Sequence, residues 1–304
     1  MISSNRHRHV QARWNHFWFR TCPPHNLAIF RILFGAYLLF QFGLELPHVA
    51  MIYSSDGIHL PLPLLMSSDW ATVLFAAPPL WLANMLFGIF MTALLLFTLG
   101  AWTRVSTAVS FVLYGYFWII SMSQFGTSFH RLFLFMLLVM SFSGAGSAFS
   151  LDMRCKRGSW TAWEPISILP QRLLAIQISA MYLGVGLQKL VIAEWRSGAI
   201  LSYGFIGRWA TAPAFAVARW NIPIAWYDAL NVLVKSLEVT IPFGLWIKRY
   251  QWWFFLGGAL FHIFIAIFLA IWWFLPLIAA YVLFLDPEEV RIFFTRKPKS
   301  AIMS

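Results

Sequence analysis

Leu173-Leu174-Ala175-Ile176-Gln177-Ile178-Ser179-Ala180-Met181-Tyr182-Leu183-Gly184-Val185-Gly186-Leu187-Gln188-Lys189-Leu190-Val191, residues 173–191, reads as one helix crossing a bilayer. A span needs about 20 mostly apolar residues, and this run supplies them. Lys189 sits near its end, and Ile192-Ala193-Glu194-Trp195-Arg196 then leads into a loop rich in Trp, Phe and Arg. On a soluble protein such a lysine is ordinary surface. At the end of a helix in lipid it is costly, because charged groups are expelled from hydrocarbon.

Composition extends that reading to the whole chain. Of 304 residues, 60% are apolar, 18% aromatic and 11% charged, whereas a soluble domain has about 25% charged. Thirty Phe and seventeen Trp exceed what a soluble core of this size can hide. The expected fold class is all-α: a polytopic helical membrane bundle of about eight transmembrane helices. The net charge of +11 points to orientation in a lipid bilayer and not to nucleic acid. Cys22 and Cys155 lie far apart without CxxC spacing, which speaks against disulfide, zinc or thiol chemistry. The basic head, Arg6 to Arg20, precedes an apolar run too long for a signal peptide, so the first span is expected to be a permanent anchor.

Taken in order, the expected spans are 26–44, 82–99, 105–122, 131–150, 173–191, 224–247, 252–270 and a shorter 274–285. A polar-aromatic loop, 45–81, separates the first two, with a short interfacial helix expected around 67–70. The run 252–285 would measure about 50 Å as one helix, too long for a core of about 30 Å, so it is divided at Ile271-Trp272-Trp273. The piece 192–223 is apolar enough to lie in the interface or re-enter the bilayer. With eight spans, fifteen Lys and Arg fall on the side of both termini and five on the other. That split places the termini in the cytoplasm, with a basic segment at 1–25 and a basic tail at 291–304. The protein is then multi-pass, in the cytoplasmic membrane if bacterial, and Lys189 faces outward.

Several polar residues fall inside the spans. Asp228, Asn231, Lys235 and Glu238 are spaced by three, four and three residues, within about 80° of one helical face. Such a stripe must meet protein or water. Arg31 lies on the first span and His262 near the middle of the seventh. One reading is mutual neutralisation, Glu238 with Arg31 or Lys235; the other is a relay or polar floor beneath an outward-facing site. His130 and Arg131 open the fourth span, and Tyr182 stands seven residues before Lys189 on the fifth. Lys189 alone reads either as a snorkelling lysine or as a desolvated amine able to take a proton. His130 alone reads as a loop histidine or as a partner in that chemistry. No metal-ligand cluster, phosphate loop or Ser/His/Asp arrangement is present in the sequence.

These residues resemble a known family, the horizontally transferred transmembrane (HTTM) domain, which includes the vitamin K-dependent gamma-glutamyl carboxylases. Leu27-Ala28-Ile29-Phe30-Arg31-Ile32 looks like its opening span and Tyr53-Ser54-Ser55-Asp56-Gly57 like its first outer loop. Leu99-Gly100-Ala101-Trp102-Thr103-Arg104 resembles the turn after its second span, and Phe149-Ser150-Leu151-Asp152 its Trp-Ser-Leu-Asp signature. Gly186-Leu187-Gln188-Lys189-Leu190 with Glu194-Trp195-Arg196-Ser197-Gly198 is similar to the segment holding the carboxylase lysine; Glu238 and His262 match polar positions. The resemblance covers residues 26–290. It implies a quinol resembling vitamin K hydroquinone, with oxygen and carbon dioxide as co-substrates and no metal. Lys189 would be the base and His130 its orienting histidine. The carboxylases also carry a sizeable soluble domain, and this chain ends at Ser304, so full peptide-glutamate carboxylation is not expected. The competing reading is a non-enzymatic membrane component of a secreted-peptide maturation, export or immunity system, with a soluble partner or secreted peptide; a transporter is weaker for want of a repeat.

Overall fold

Backbone in lipid must satisfy its own hydrogen bonds, and the long apolar runs fold accordingly as helices. A computed structural model describes residues 2–58, 76–125 and 129–295, the side chains of 2–10 and 122–125 excepted. Its architecture is all-helical apart from a two-residue antiparallel pairing of Thr21–Cys22 with Ile166–Ser167. The stretch expected to form an interfacial helix near 67–70 lies outside the described residues. Among the described residues, four runs are long and apolar enough to cross a membrane: His25–Tyr53, Leu80–Leu99, Leu169–Val191 and Gln251–Leu269.

The chain divides into two compact units, residues 1–171 with 285–304, and residues 172–284. The first is built on His25–Glu45, Leu80–Leu99, Thr103–Phe125 and Phe129–Ser141. Its core is aromatic: Phe42 meets Phe90 at 4.7 Å and Tyr114 at 5.0 Å, both edge-on, the geometry that aromatic quadrupoles favour. Below this core, several loop residues converge on Arg31, which is completely buried. Its guanidinium donates to the carbonyls of Ala145 at 2.7 Å and Phe149 at 2.5 Å. Gly100 ends Leu80–Leu99 in the left-handed conformation, φ 71°, as helix C-termini commonly do. A Cβ there would stand 2.6 Å from the Arg31 guanidinium, so glycine is required by space as well as by φ. The Asp152 carboxylate accepts from the Trp102 and Thr103 amides at 2.7 and 2.9 Å, capping Thr103–Phe125 from a distant position in the chain.

Two expected spans differ from the helices observed. The fourth, expected over 131–150, is helical only over Phe129–Ser141. Beyond it, Ser143 bonds back to the Met140 carbonyl and receives the Ala145 amide; hydroxyls that compete for backbone groups in this way end helices. The eighth, expected over 274–285, is a shorter apolar helical run, Trp272–Phe284, made of three short pieces: Trp272–Phe274, Pro276–Ala280 and Tyr281–Phe284. Pro276 has no amide to continue a helix from Trp272, and it sits at the first position of its own short helix.

The second unit contains most of Leu169–Val191, then Ala199–Gly204, Ala212–Ala218, Ile224–Gly244, Gln251–Leu269 and those short pieces. Ile224–Gly244 carries Pro242 without stopping. Leu201, Phe205, Ala214 and Tyr227 form a small buried cluster that packs the two short helices onto this scaffold.

Candidate functional site

Two helices of the second unit face each other with matching polar stripes. On Leu169–Val191, steps of four and three residues line up Tyr182, Gly186 and Lys189 on one face. On Ile224–Gly244 the opposed stripe is Asp228, Asn231, Lys235 and Glu238. Close approach is set by Gly186, where a Cβ would lie 3.1 Å from the Glu238 carbonyl carbon and 3.0 Å from Val239. One turn further along, Lys189 Nζ meets Glu238 Oε1 at 2.5 Å, with side-chain exposures of 15% and 6%. The Trp195 ring covers the ammonium, 4.3 Å from ring centroid to Nζ, an arrangement favoured by the ring quadrupole when water is displaced.

The rest of the stripe grips the loop that follows Lys189. Lys235 and Asn231 both donate to the Trp195 carbonyl at 3.0 Å, and Asn231 also donates to the Ser197 carbonyl at 2.9 Å. Asp228 accepts the Gly198 amide at 2.6 Å. Gly198 passes so close to the helix that a Cβ would stand 2.1 Å from the Tyr227 carbonyl carbon. The partner of Glu238 is therefore Lys189, and the expected pairing with Arg31 or Lys235 is corrected. Lys235 is spent on a carbonyl, and Arg31 belongs to the carbonyl cluster of the first unit. The feature absent from the sequence reading was that the stripe and the lysine loop are one structure. The signal for it was Gly186, a small residue on the same face as Lys189.

Further along, the Tyr182 hydroxyl bonds to His262 Nε2 and, at 2.7 Å, to the Tyr281 hydroxyl. Tyr281 escaped the sequence reading, because it lies in a run that reads as plain span. Gly258 makes room for it: a Cβ there would meet the Tyr281 oxygen at 2.1 Å. Among the described residues, Glu238 Oε2, Asn231 Oδ1 and His262 Nδ1 are buried without a hydrogen-bond partner. Buried polar atoms of this kind are uncommon in native structures and mark places where a further group can bind. His130 lies in the first unit, where its Nδ1 is 2.9 Å from the Tyr114 hydroxyl and its ring lies against Phe129. Among the described residues, no group of three or more His, Cys, Asp or Glu side chains is placed to hold a metal.

Chemically, an ion pair with one free carboxylate oxygen can accept a proton at that oxygen while the ammonium stabilises the anion left behind. A model of the HTTM domain matches residues 19–288. No curated protein and no solved structure matches the chain.

Proposed function

The chain belongs to the HTTM domain family, and on that premise we propose that it is a carboxylase-like membrane enzyme acting on a quinol or similar lipid-soluble hydroxyl compound. The observation that supports this is the Lys189–Glu238 pair with its free, buried Glu238 Oε2. In the proposed step the substrate O–H bond breaks, its electron pair stays on oxygen, and the proton passes to Glu238 Oε2. The Lys189 ammonium stabilises the resulting oxyanion. The base in this reading is the pair as a unit, because Lys189 Nζ is engaged by Glu238 Oε1 at 2.5 Å while Glu238 Oε2 is left without a partner. A hydroxyl group complements the pair chemically, offering a donor to the unpartnered Glu238 Oε2 and, once deprotonated, an oxyanion to Lys189. Oxygen and carbon dioxide are the co-substrates that the family resemblance implies.

The test is anaerobic binding and aerobic oxidation of a reduced naphthoquinone by purified protein. Lys189→Ala and Glu238→Gln are each expected to lower oxidation by about 100-fold or more. Lys189→Ala strands a buried carboxylate, at about 3–5 kcal/mol, so the double variant Lys189→Ala/Glu238→Gln supplies a neutral, foldable control. Oxidation that survives in the double variant sinks the proposal.

A specific observation favours a second reading. Asp228, Asn231 and Lys235 are all engaged in holding the 195–198 loop, as expected of a rigid scaffold presenting that loop to a soluble partner or secreted peptide. Full protein stability with no quinol effect in any variant selects this non-enzymatic role.

A further inference from the structure

The segment between the Lys189 loop and Ile224–Gly244 has a surface that the quinol chemistry does not use. Its helices, Ala199–Gly204 and Ala212–Ala218, have six and seven residues, about 9–10 Å each, too short to re-enter a core of about 30 Å. Their depth is fixed by a neighbouring span. The Thr211 hydroxyl donates to the Ile267 carbonyl at 2.6 Å, and its amide to Phe268 at 3.2 Å, the last turn of Gln251–Leu269. Trp209 packs edge-on against Trp273, just beyond that end, at 5.3 Å. The segment is thereby tied to the level where a span leaves the hydrocarbon.

At that level it exposes Tyr203, Ile206 and Trp220, at 69%, 56% and 73%, the aromatic and aliphatic mixture that partitions into headgroups. Arg208 and Arg219 adjoin them in the chain. Arg208 stacks on Trp209, 4.6 Å to the ring centroid, and among the described residues neither arginine has a carboxylate within ion-pair distance. Elsewhere on the surface, Arg157 and Arg291 do have such partners. We infer that this face binds the headgroup of an anionic phospholipid, the arginines taking the phosphate and the exposed aromatics settling among the acyl carbonyls. Guanidinium groups suit phosphate because they offer two parallel donors.

The test is thermal unfolding of the full chain in mild detergent with phosphatidylglycerol, phosphatidylcholine or inorganic phosphate added. Phosphatidylglycerol is expected to raise the midpoint by about 4 °C more than phosphatidylcholine, given two basic contacts, and the excess should shrink in high salt. The double variant Arg208→Gln/Arg219→Gln is expected to lose most of the excess, and the Arg→Lys double variant to keep most of it. A photoactivatable phosphatidylglycerol should label peptides from 203–220 of the unaltered protein, a measurement that needs no variant to fold. Equal shifts with both lipids, an undiminished excess in the Gln double variant, or label confined to other segments would each overturn the inference. So would a full shift with inorganic phosphate alone, or complete competition by a soluble polyglutamate peptide.

Discussion

Asp152 shows how much of this protein depends on single polar contacts made far along the chain. Its carboxylate holds the Trp102 amide and both the amide and hydroxyl of Thr103, and its own amide bonds to the Gly100 carbonyl. Arg31, Gly100 and Phe149 meet at the same place. The Leu99–Arg104 and Phe149–Asp152 motifs are thus one structural joint. Asp152→Asn should cost about 1 kcal/mol of stability and Asp152→Ala about 2 kcal/mol, read as a lowered thermal midpoint with helical content kept. An unchanged midpoint for Asp152→Ala would show that water replaces the cap. Which residues were chemically unusual was legible in the sequence: Lys189, Glu238, Asp228 and Arg31 all stood out as charges in apolar runs. Their partners were not, because pairing across 49 residues of chain, as for Lys189 and Glu238, depends on which faces the helices turn to each other.

The decisive contact between elements is the crossing of Leu169–Val191 with Ile224–Gly244, and glycines set its closeness. Gly198 is the most constrained: a Cβ added there would stand 2.1 and 2.2 Å from the Tyr227 and Asp228 backbone. Backbone cannot rotate aside as a side chain can, so Gly198→Ala must push the 195–198 loop off Asp228 and Asn231. The expected cost is about 2–3 kcal/mol. Gly184→Ala is the matched control on the neighbouring helix: a Cβ there meets nothing within 4 Å, and the change should be neutral or gain about 0.5–1 kcal/mol. Equal midpoints for the two variants would refute the tight fit of the 195–198 loop against Ile224–Gly244. Helix positions were readable wherever a long apolar run left the backbone no other way to satisfy itself in lipid, as at Leu80–Leu99 and Gln251–Leu269. They were misjudged at 142–150, where serines and glycines offer the backbone other partners. The apolar run 272–284 is helical but broken into short pieces at Pro276; hydropathy registers neither effect.

For the whole molecule the open quantity is which way it faces, and charge and length together make a definite prediction. Leu169–Val191 has 23 residues, about 34 Å of helix, enough to cross the hydrocarbon once. Cys155, exposed on Leu151–Arg157, precedes it, and Arg219, exposed at the end of Ala212–Ala218, follows it. A single crossing puts those two positions on opposite sides of the membrane. The first belongs to the tract with Arg154, Lys156 and Arg157, and the positive-inside rule assigns that tract to the cytoplasm. In intact cells a membrane-impermeant maleimide should therefore leave Cys155 unlabelled until the membrane is opened. Arg219→Cys in a Cys155→Ser background should label at once, while buried Cys22 stays slow in either case. Reversed labelling would invert the molecule and put Lys189 inside. Labelling of both positions from one side would mean that Leu169–Val191 does not cross, and the Lys189–Glu238 pair would then need a different route to a lipid-soluble substrate.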